Sequence, residues 1–193
     1  MRTELTPEMV LRAYAAGIFP MAEPGGAIAW YDPPHRGIIP LDTFRPPRSV
    51  RQAVRRGKFE VRINTAFRDV IASCADRPEG TWIDPTITRV YVRLHELGRA
   101  HSVESWHEGR LAGGLYGVAL GGAFFGESMF TRVTDASKVA LVALVERLRE
   151  RGYVLLDTQW ITPHLERFGA IEIPRAEYRR RLEAALVLPC TFE

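Results

Sequence analysis

Cysteine, lysine and long apolar runs are scarce in this chain, and each scarcity closes off a class of protein. Cys74 and Cys190 are the only cysteines among 193 residues. They follow neither a CxxC nor a CxxxxH spacing, which argues against a disulfide framework and a cysteine-based zinc site. They read instead as one buried thiol and one tail thiol. No apolar run approaches the ~20 residues that a membrane-crossing helix requires. Residues 1–6 lack the basic-then-apolar layout of a secretory signal, so a cytoplasmic protein with no membrane partner is expected. Lysine occurs only at Lys58 and Lys138, leaving arginine to carry nearly all the positive charge. Basic side chains outnumber acidic ones by 26 to 23, for a net charge of +3. That excess is compatible with a polyanionic partner but does not demand one.

What is present suffices for one substantial core, or for a core domain with a smaller one attached, since 46% of the residues are hydrophobic. Thr6 at the N-cap, Pro7 after it and Gly17 as the stop predict a first helix. Residues 18–47 mix prolines and aromatics with no sustained period and read as ordered loop or short strands. A short helix follows from Ser49, with Gln52 completing a capping box and Gly57 ending it. The segment 1–58 is therefore expected to form a small N-terminal domain and 59–193 the main one.

From Phe59 the pattern changes. Phe59, Val61 and Ile63 alternate with polar residues as a half-buried strand. Thr65 is expected to cap a helix with Phe67, Val70, Ile71 and Cys74 along one stripe, and Asp84-Pro85 opens another with Ile87, Val90, Tyr91, Leu94 and Leu97 inward. Three strands at 101–106, 111–120 and 123–130, joined by short links, read as an antiparallel meander. Thr134 or Asp135 then caps a helix carrying Leu141, Val145 and Leu148, and residues 153–156 form a short strand. Thr162-Pro163 starts a brief helix, residues 170–173 a last strand and 176–186 a last helix. The order β-α-α-β-β-β-α-β-α-β-α, an α+β arrangement with a mixed sheet, resembles the acyl-CoA N-acyltransferase (GNAT-like) fold.

Several words along the chain carry a narrower resemblance. They run in order: Gly17-Ile18-Phe19-Pro20, Gly80-Thr81-Trp82-Ile83, Leu94-His95-Glu96-Leu97-Gly98, Gly113-Gly114-Leu115-Tyr116-Gly117, Gly126-Glu127-Ser128-Met129-Phe130, Ala136-Ser137-Lys138, Leu156-Asp157-Thr158-Gln159 and Gly169-Ala170-Ile171-Glu172-Ile173-Pro174. Collinear over nearly the whole length, they are similar to the signature series of the leucyl/phenylalanyl-tRNA-protein transferases. The resemblance implies an enzyme that moves Leu or Phe, and less well Met, from aminoacyl-tRNA to the N-terminal amine of proteins beginning with Arg or Lys, marking them for degradation. It implies no cofactor and no metal, Glu127, Asp157 and Gln159 as polar site groups, and Trp82 and Tyr91 as contacts to the aminoacyl adenosine. A monomer is expected. Longer members carry an extension ahead of the first helix, and some have Trp where this chain has Met21, so neither contact to tRNA carries over.

The residues support that chemistry on their own account. An aminoacyl ester is already activated, so attack by a neutral amine needs alignment, a proton acceptor and support for the oxyanion. If strand geometry continues past Leu156, Asp157 and Gln159 project from one face, where the Gln159 carbonyl can accept from the amine and Asp157 can act as base or orient that amide. The plainer alternative makes Asp157 a turn cap and Gln159 a solvated loop residue. Glu127 lies between Phe125 and Met129 on an apolar strand face, and either pairs with an arginine or meets the donor's ammonium group. Leu115, Phe124 or Phe125, Met129 and Leu141 can line a slot for the donor side chain, or serve simply as core. Arg48, Arg51, Arg55 and Arg56 with Lys58 can track tRNA phosphates or form a solvated face, and the run Arg179-Arg180-Arg181 is open in the same way.

Other chemistries fit less well. The glycines at 113–126 follow neither a P-loop nor a dinucleotide pattern. His95, His101 and His107 fall on different elements, which argues against a metal triad, and Ser128 lacks a GxSxG setting. An acyl-CoA-dependent N-acetyltransferase would need a glycine-rich turn before the helix after the meander, and residues 131–136 contain none. A non-catalytic RNA-binding module would leave Asp157 and Gln159 idle.

Overall fold

The computed structural model describes residues 5–193. The absence of a signal layout in residues 1–6 concerns chiefly 1–4, outside the described residues. Thr6 caps α1 (Pro7–Ala15) by accepting from the Met9 amide, and Gly17 follows with φ +80°. The stretch without a period contains β1 (Phe19–Ala22), β2 (Ile28–Tyr31) and β3 (His35–Ile38), and α2 (Arg48–Arg55) comes next. Then follow β4 (Glu60–Ile63), α3 (Phe67–Ala75), α4 (Pro85–Glu96), β5 (Ala100–His107), β6 (Arg110–Leu120) and β7 (Ala123–Thr131). The chain closes with α5 (Ala136–Glu150), β8 (Leu155–Gln159), α6 (Pro163–Glu166), β9 (Ile171–Pro174) and α7 (Arg175–Leu186). From β4 onward the order is the one expected from the sequence.

Local starts differ in instructive ways. α2 begins one residue early behind Pro47 with no side-chain cap, so Ser49 sits inside the first turn and the capping box with Gln52 does not form. Thr65 is not the cap of α3, a place Ala66 holds. Its hydroxyl, its amide and the Ala66 amide all serve the buried carboxylate of Glu104, whose demand for donors outweighs that of an exposed helix end. Asp135 precedes α5 in a left-handed conformation without capping it and instead meets Lys138 at 2.7 Å. Leu97 and Val61 point outward, one at a helix end and one on the edge strand β4. The strand expected at 153–156 starts two residues later and runs on through Gln159.

The fold is α+β, built on a mixed seven-stranded sheet of order β4-β5-β6-β7-β8-β3-β9, with β1 and β2 as a separate hairpin. All pairings in the large sheet are antiparallel except β7 with β8. β3, from the segment before residue 59, lies between β8 and β9 inside this sheet. Gly37 is required there, because a Cβ would stand 2.7 Å from the Trp160 carbonyl carbon. Adjacent residues of β7 separate two cores: Phe125 belongs with α1, α3, α4 and α7, whereas Phe124 belongs with α5. Among the described residues no helix is long and apolar enough to cross a membrane.

Candidate functional site

The site exists because two neighbouring parallel strands part. β7 and β8 pair only at Ala123 with Leu155, Phe124 with Leu156 and Phe125 with Asp157. Beyond that point they diverge and leave a cleft of about 510 Å³. A bulge completes the break. In the β6–β7 ladder Tyr116 faces Ser128 and Gly117 faces Gly126, so Glu127 is the extra residue. A bulged residue is re-aimed out of the pleat and reverses the facing of the residues after it. Phe125 and Met129 therefore fall in different cores, and the single apolar face expected around Glu127 does not exist. Open through the sheet, the cleft takes walls from both sides of it.

Asp157 is fully buried at the strand end, and its carboxylate is saturated. Arg36 Nε and a terminal nitrogen donate to it at 2.9 and 2.7 Å, the Tyr178 hydroxyl at 2.7 Å and the Gln159 amide at 2.8 Å. Arg36, itself 1% exposed, also donates to the Gly17 carbonyl at 2.9 Å, and its guanidinium lies 4.6 Å from the Phe19 ring centre and 4.5 Å from that of Tyr178. Gly17 leaves room for this, since a Cβ there would come within 3.3 Å of the Tyr178 ring. The Gly17-Ile18-Phe19-Pro20 word thus builds the seat of a buried ion pair. That pair fixes Gln159, which takes a left-handed φ of 58° and makes its amide available to the Asp157 carboxylate.

Glu127 meets no arginine among the described residues. The Tyr14 hydroxyl donates to it at 2.6 Å, that of Tyr91 at 3.3 Å, and Gln159 Nε2 at 3.0 Å, while the two tyrosine hydroxyls lie 2.5 Å apart. Burial pushes the Glu127 carboxyl up to about 8, with the Tyr14 hydrogen bond opposing the shift and the Asp157 charge adding to it. Near neutral pH this carboxyl largely keeps its proton until something cationic arrives. With Nε2 committed to Glu127, the Gln159 side-chain oxygen has no protein partner among the described residues.

The other wall is apolar. Leu115, Met129 and Leu141 line it as expected, joined by Leu144, Leu156 and Leu165. Phe124 is buried in the same core behind that wall and does not face the cleft, and Tyr91 lies beneath Glu127. Trp82, Trp160 and Phe19 stand around the opening, and Arg77 reaches Ser128 at 3.0 Å on its polar side. Three buried side-chain polar atoms lack a protein partner among the described residues: Tyr116 Oη, Thr158 Oγ1 and His164 Nε2. All three residues line the cleft. An unpaired buried polar group costs ~1–3 kcal/mol, so three of them along one cleft call for partners from outside the chain, solvent or ligand.

Arg48, Arg51, Arg55 and Arg56 are exposed on α2 and make no ion pair among the described residues, while Val50 anchors the helix in the α5 core. Val54 on the same helix is exposed. The Arg179-Arg180-Arg181 run is consumed internally, Arg179 by Asp32 and the other two by Glu177. Cys74 is buried and its thiol is pushed up to about 12 by that burial, while Cys190 is half-buried. Among the described residues no three His, Cys, Asp or Glu side chains gather as a metal site.

Arg36, Tyr14, Tyr178 and Trp160 belong to the site without having been expected from the sequence. Only Trp160 lies beside a recognisable word, directly after Gln159, whereas Arg36 falls in the stretch without a period.

The family model described as leucyl/phenylalanyl-tRNA protein transferase matches residues 38–183, and the model of that family's N-terminal domain matches 3–34. A leucyl/phenylalanyl-tRNA–protein transferase of Gloeobacter violaceus is 56% identical over 193 residues, covering all of both chains. One from Rubrobacter xylanophilus is 58% identical over 97% of this chain and 98% of its own. A solved structure described as L-PGS from Bacillus licheniformis overlays at a TM-score of 0.43 with 14% identity, over 77% of this chain and 51% of that one, too loosely to bear on function.

Proposed function

The chain belongs to the leucyl/phenylalanyl-tRNA–protein transferase family, and from that premise we propose how its cleft performs the transfer. It is an aminoacyltransferase, with Leu-tRNA or Phe-tRNA as donor and a protein amine as acceptor. The observation that carries the site assignment is the opening between β7 and β8, which sets an apolar slot beside the Glu127–Gln159 pair. The donor side chain enters the slot formed by Leu115, Met129, Leu141 and the added leucines, with Phe124 shaping it from behind. The donor's ammonium group meets Glu127. The acceptor amine approaches Gln159, whose side-chain oxygen accepts its hydrogen bond.

Asp157 works through Gln159 as an orienting group, because Arg36, Tyr178 and the Gln159 amide already occupy its oxygens. The neutral amine forms the C–N bond as the ester C–O bond breaks. The proton that the amine loses ends on the released ribose hydroxyl, so no outside acid or base is consumed. The ester supplies the reactivity and the protein supplies alignment.

Several finer features belong to the same proposal: acceptors beginning with Arg or Lys, a product marked for proteolysis, Trp82 against the terminal adenosine, a monomer working in the cytoplasm without cofactor, and a GNAT-like core. The division into a small N-terminal domain at 1–58 and a catalytic domain at 59–193 belongs to the same proposal, with β3 reaching across it into the main sheet. A transfer assay with labelled Leu-tRNA and a peptide bearing N-terminal Arg tests the whole reading. Label should enter that peptide and not one whose amine is acetylated; no incorporation into either would overturn the reading. Acetyl transfer from acetyl-CoA would favour the N-acetyltransferase, and binding without transfer the RNA module.

The exposed arginines of α2 are proposed to meet tRNA phosphates. Replacing Arg48, Arg51 and Arg55 by Gln should weaken aminoacyl-tRNA binding and flatten its salt dependence by roughly one unit of log–log slope for each phosphate no longer neutralised. An unchanged slope in a titration against salt would return this helix to a solvated face.

A further inference from the structure

Beside the reacting groups lies an aromatic surface that the transfer chemistry leaves without work. Trp160 directly follows Gln159, lines the cleft, and is 40% exposed, which is unusual for an indole walled in by other rings. Its placement is not loose. The ring lies 5.0 Å from Phe19 and 5.8 Å from Tyr31, nearly perpendicular to both at 84° and 77°, while those two rings stack on each other. Its backbone is held by a 2.7 Å bond from its amide to the Thr158 carbonyl and by the close approach of Gly37. The cluster therefore props the indole at the cleft without covering it. Propped, exposed aromatic faces are what proteins use to stack a nucleobase.

Chemistry says which base is within reach. The bond to be broken joins the aminoacyl group to the ribose of the tRNA's last nucleoside, so wherever the ester sits, that nucleoside is its immediate neighbour. With the ester at Gln159 and Glu127, the residue next along the chain from Gln159 is placed to meet the base. We propose that Trp160 is a donor-binding residue that stacks on the terminal purine of the aminoacyl-tRNA. The inference rests on the transfer reading.

The test uses the full chain and four forms: unaltered, Trp160→Ala, Trp160→Phe and Trp160→Leu. Two probes are needed, Leu-tRNA for turnover and a non-hydrolysable amide of leucyl-adenosine for equilibrium binding. Trp160→Ala should raise KM for Leu-tRNA about tenfold, equivalent to ~1.4 kcal/mol, and weaken amide binding as much. That loss lies within the range of base–aromatic stacking, while the acceptor KM should stay unchanged and kcat should move by no more than about twofold. Trp160→Phe should recover most of the loss. Trp160→Leu should not, although it keeps an apolar side chain and so guards against a simple packing defect. Unchanged donor KM in Trp160→Ala, a loss confined to kcat or to the acceptor KM, or equal recovery by Leu would each overturn the assignment. An unaltered chain that binds the amide but transfers nothing would sink the transfer reading alone, and the amide affinities of the four forms would still decide the stacking.

Discussion

Asp157→Ala and Arg36→Ala are each expected to cost more stability than any other single change near the cleft. Each leaves a fully buried partner without its counter-charge. Breaking such a pair typically costs ~3–5 kcal/mol, which for a chain of this size lowers the unfolding midpoint by roughly 10 °C. The neutral Asp157→Asn should fall between these and the native chain, because its single carbonyl oxygen can still accept at one of the two positions, from the Gln159 amide or from Tyr178, but not at both. Transfer should drop with all three, but for a reason distinct from proton chemistry: Asp157→Ala removes the acceptor of the bond that supports the left-handed turn at Gln159, and the other two changes remove contacts that hold that acceptor in place. The double replacement Arg36→Met with Asp157→Leu should regain much of the stability and none of the activity, since apolar neighbours can substitute for a buried ion pair in packing. Calorimetry and single-turnover transfer across pH decide the matter. An Asp157→Asn enzyme with the native midpoint whose rate recovers at high pH would make Asp157 a titrating base and remove the orienting role.

That ion pair also marks the limit of what the sequence alone disclosed. Element order from β4 onward is legible because α3, α4 and α5 carry apolar stripes and several starts have punctuation that local chemistry enforces, as with Asp84-Pro85 before α4 or Thr162-Pro163 before α6. Caps failed where a tertiary demand was stronger than the local one, as Thr65 shows by serving Glu104 instead of its own helix. The placement of β3 was illegible in principle. A four-residue strand among prolines has no period to read, and its neighbours β8 and β9 lie more than a hundred residues away. Since Arg36 sits on β3, the partner of Asp157 was hidden with it. Glu127 stands out in the sequence as a polar residue on an apolar strand, yet the single apolar face expected around it is absent, because strict alternation cannot anticipate a bulge. The residue that breaks the alternation is also the one whose carboxyl meets Gln159 at the cleft.

Glu127→Gln should change how both stability and donor binding respond to pH. In the folded chain the carboxyl holds its proton up to about 8, whereas the ordinary carboxyl value is 4.5. Between those values the folded state binds a proton that the unfolded state has lost. Its contribution to stability is therefore whole below the lower value and declines as pH rises through the window. The glutamine variant, with nothing to titrate, should lack that decline. Donor binding adds a second proton to the count. Below about pH 7 both Glu127 and the donor amine, with an ordinary value of about 8, carry protons. An ion pair between them keeps only one, so affinity should climb nearly tenfold per pH unit. Above about pH 8 both are deprotonated when apart and one proton must be taken up, so affinity should fall again. The result is a bell centred near the Glu127 value, and Glu127→Gln should lose its acid limb together with roughly tenfold or more of its height, since an amide cannot balance an ammonium charge. Equilibrium binding of the leucyl-adenosine amide from about pH 5.5 to 9.5 reads this directly. The same acid limb in both proteins would show that the ammonium group finds its counter-charge elsewhere in the cleft.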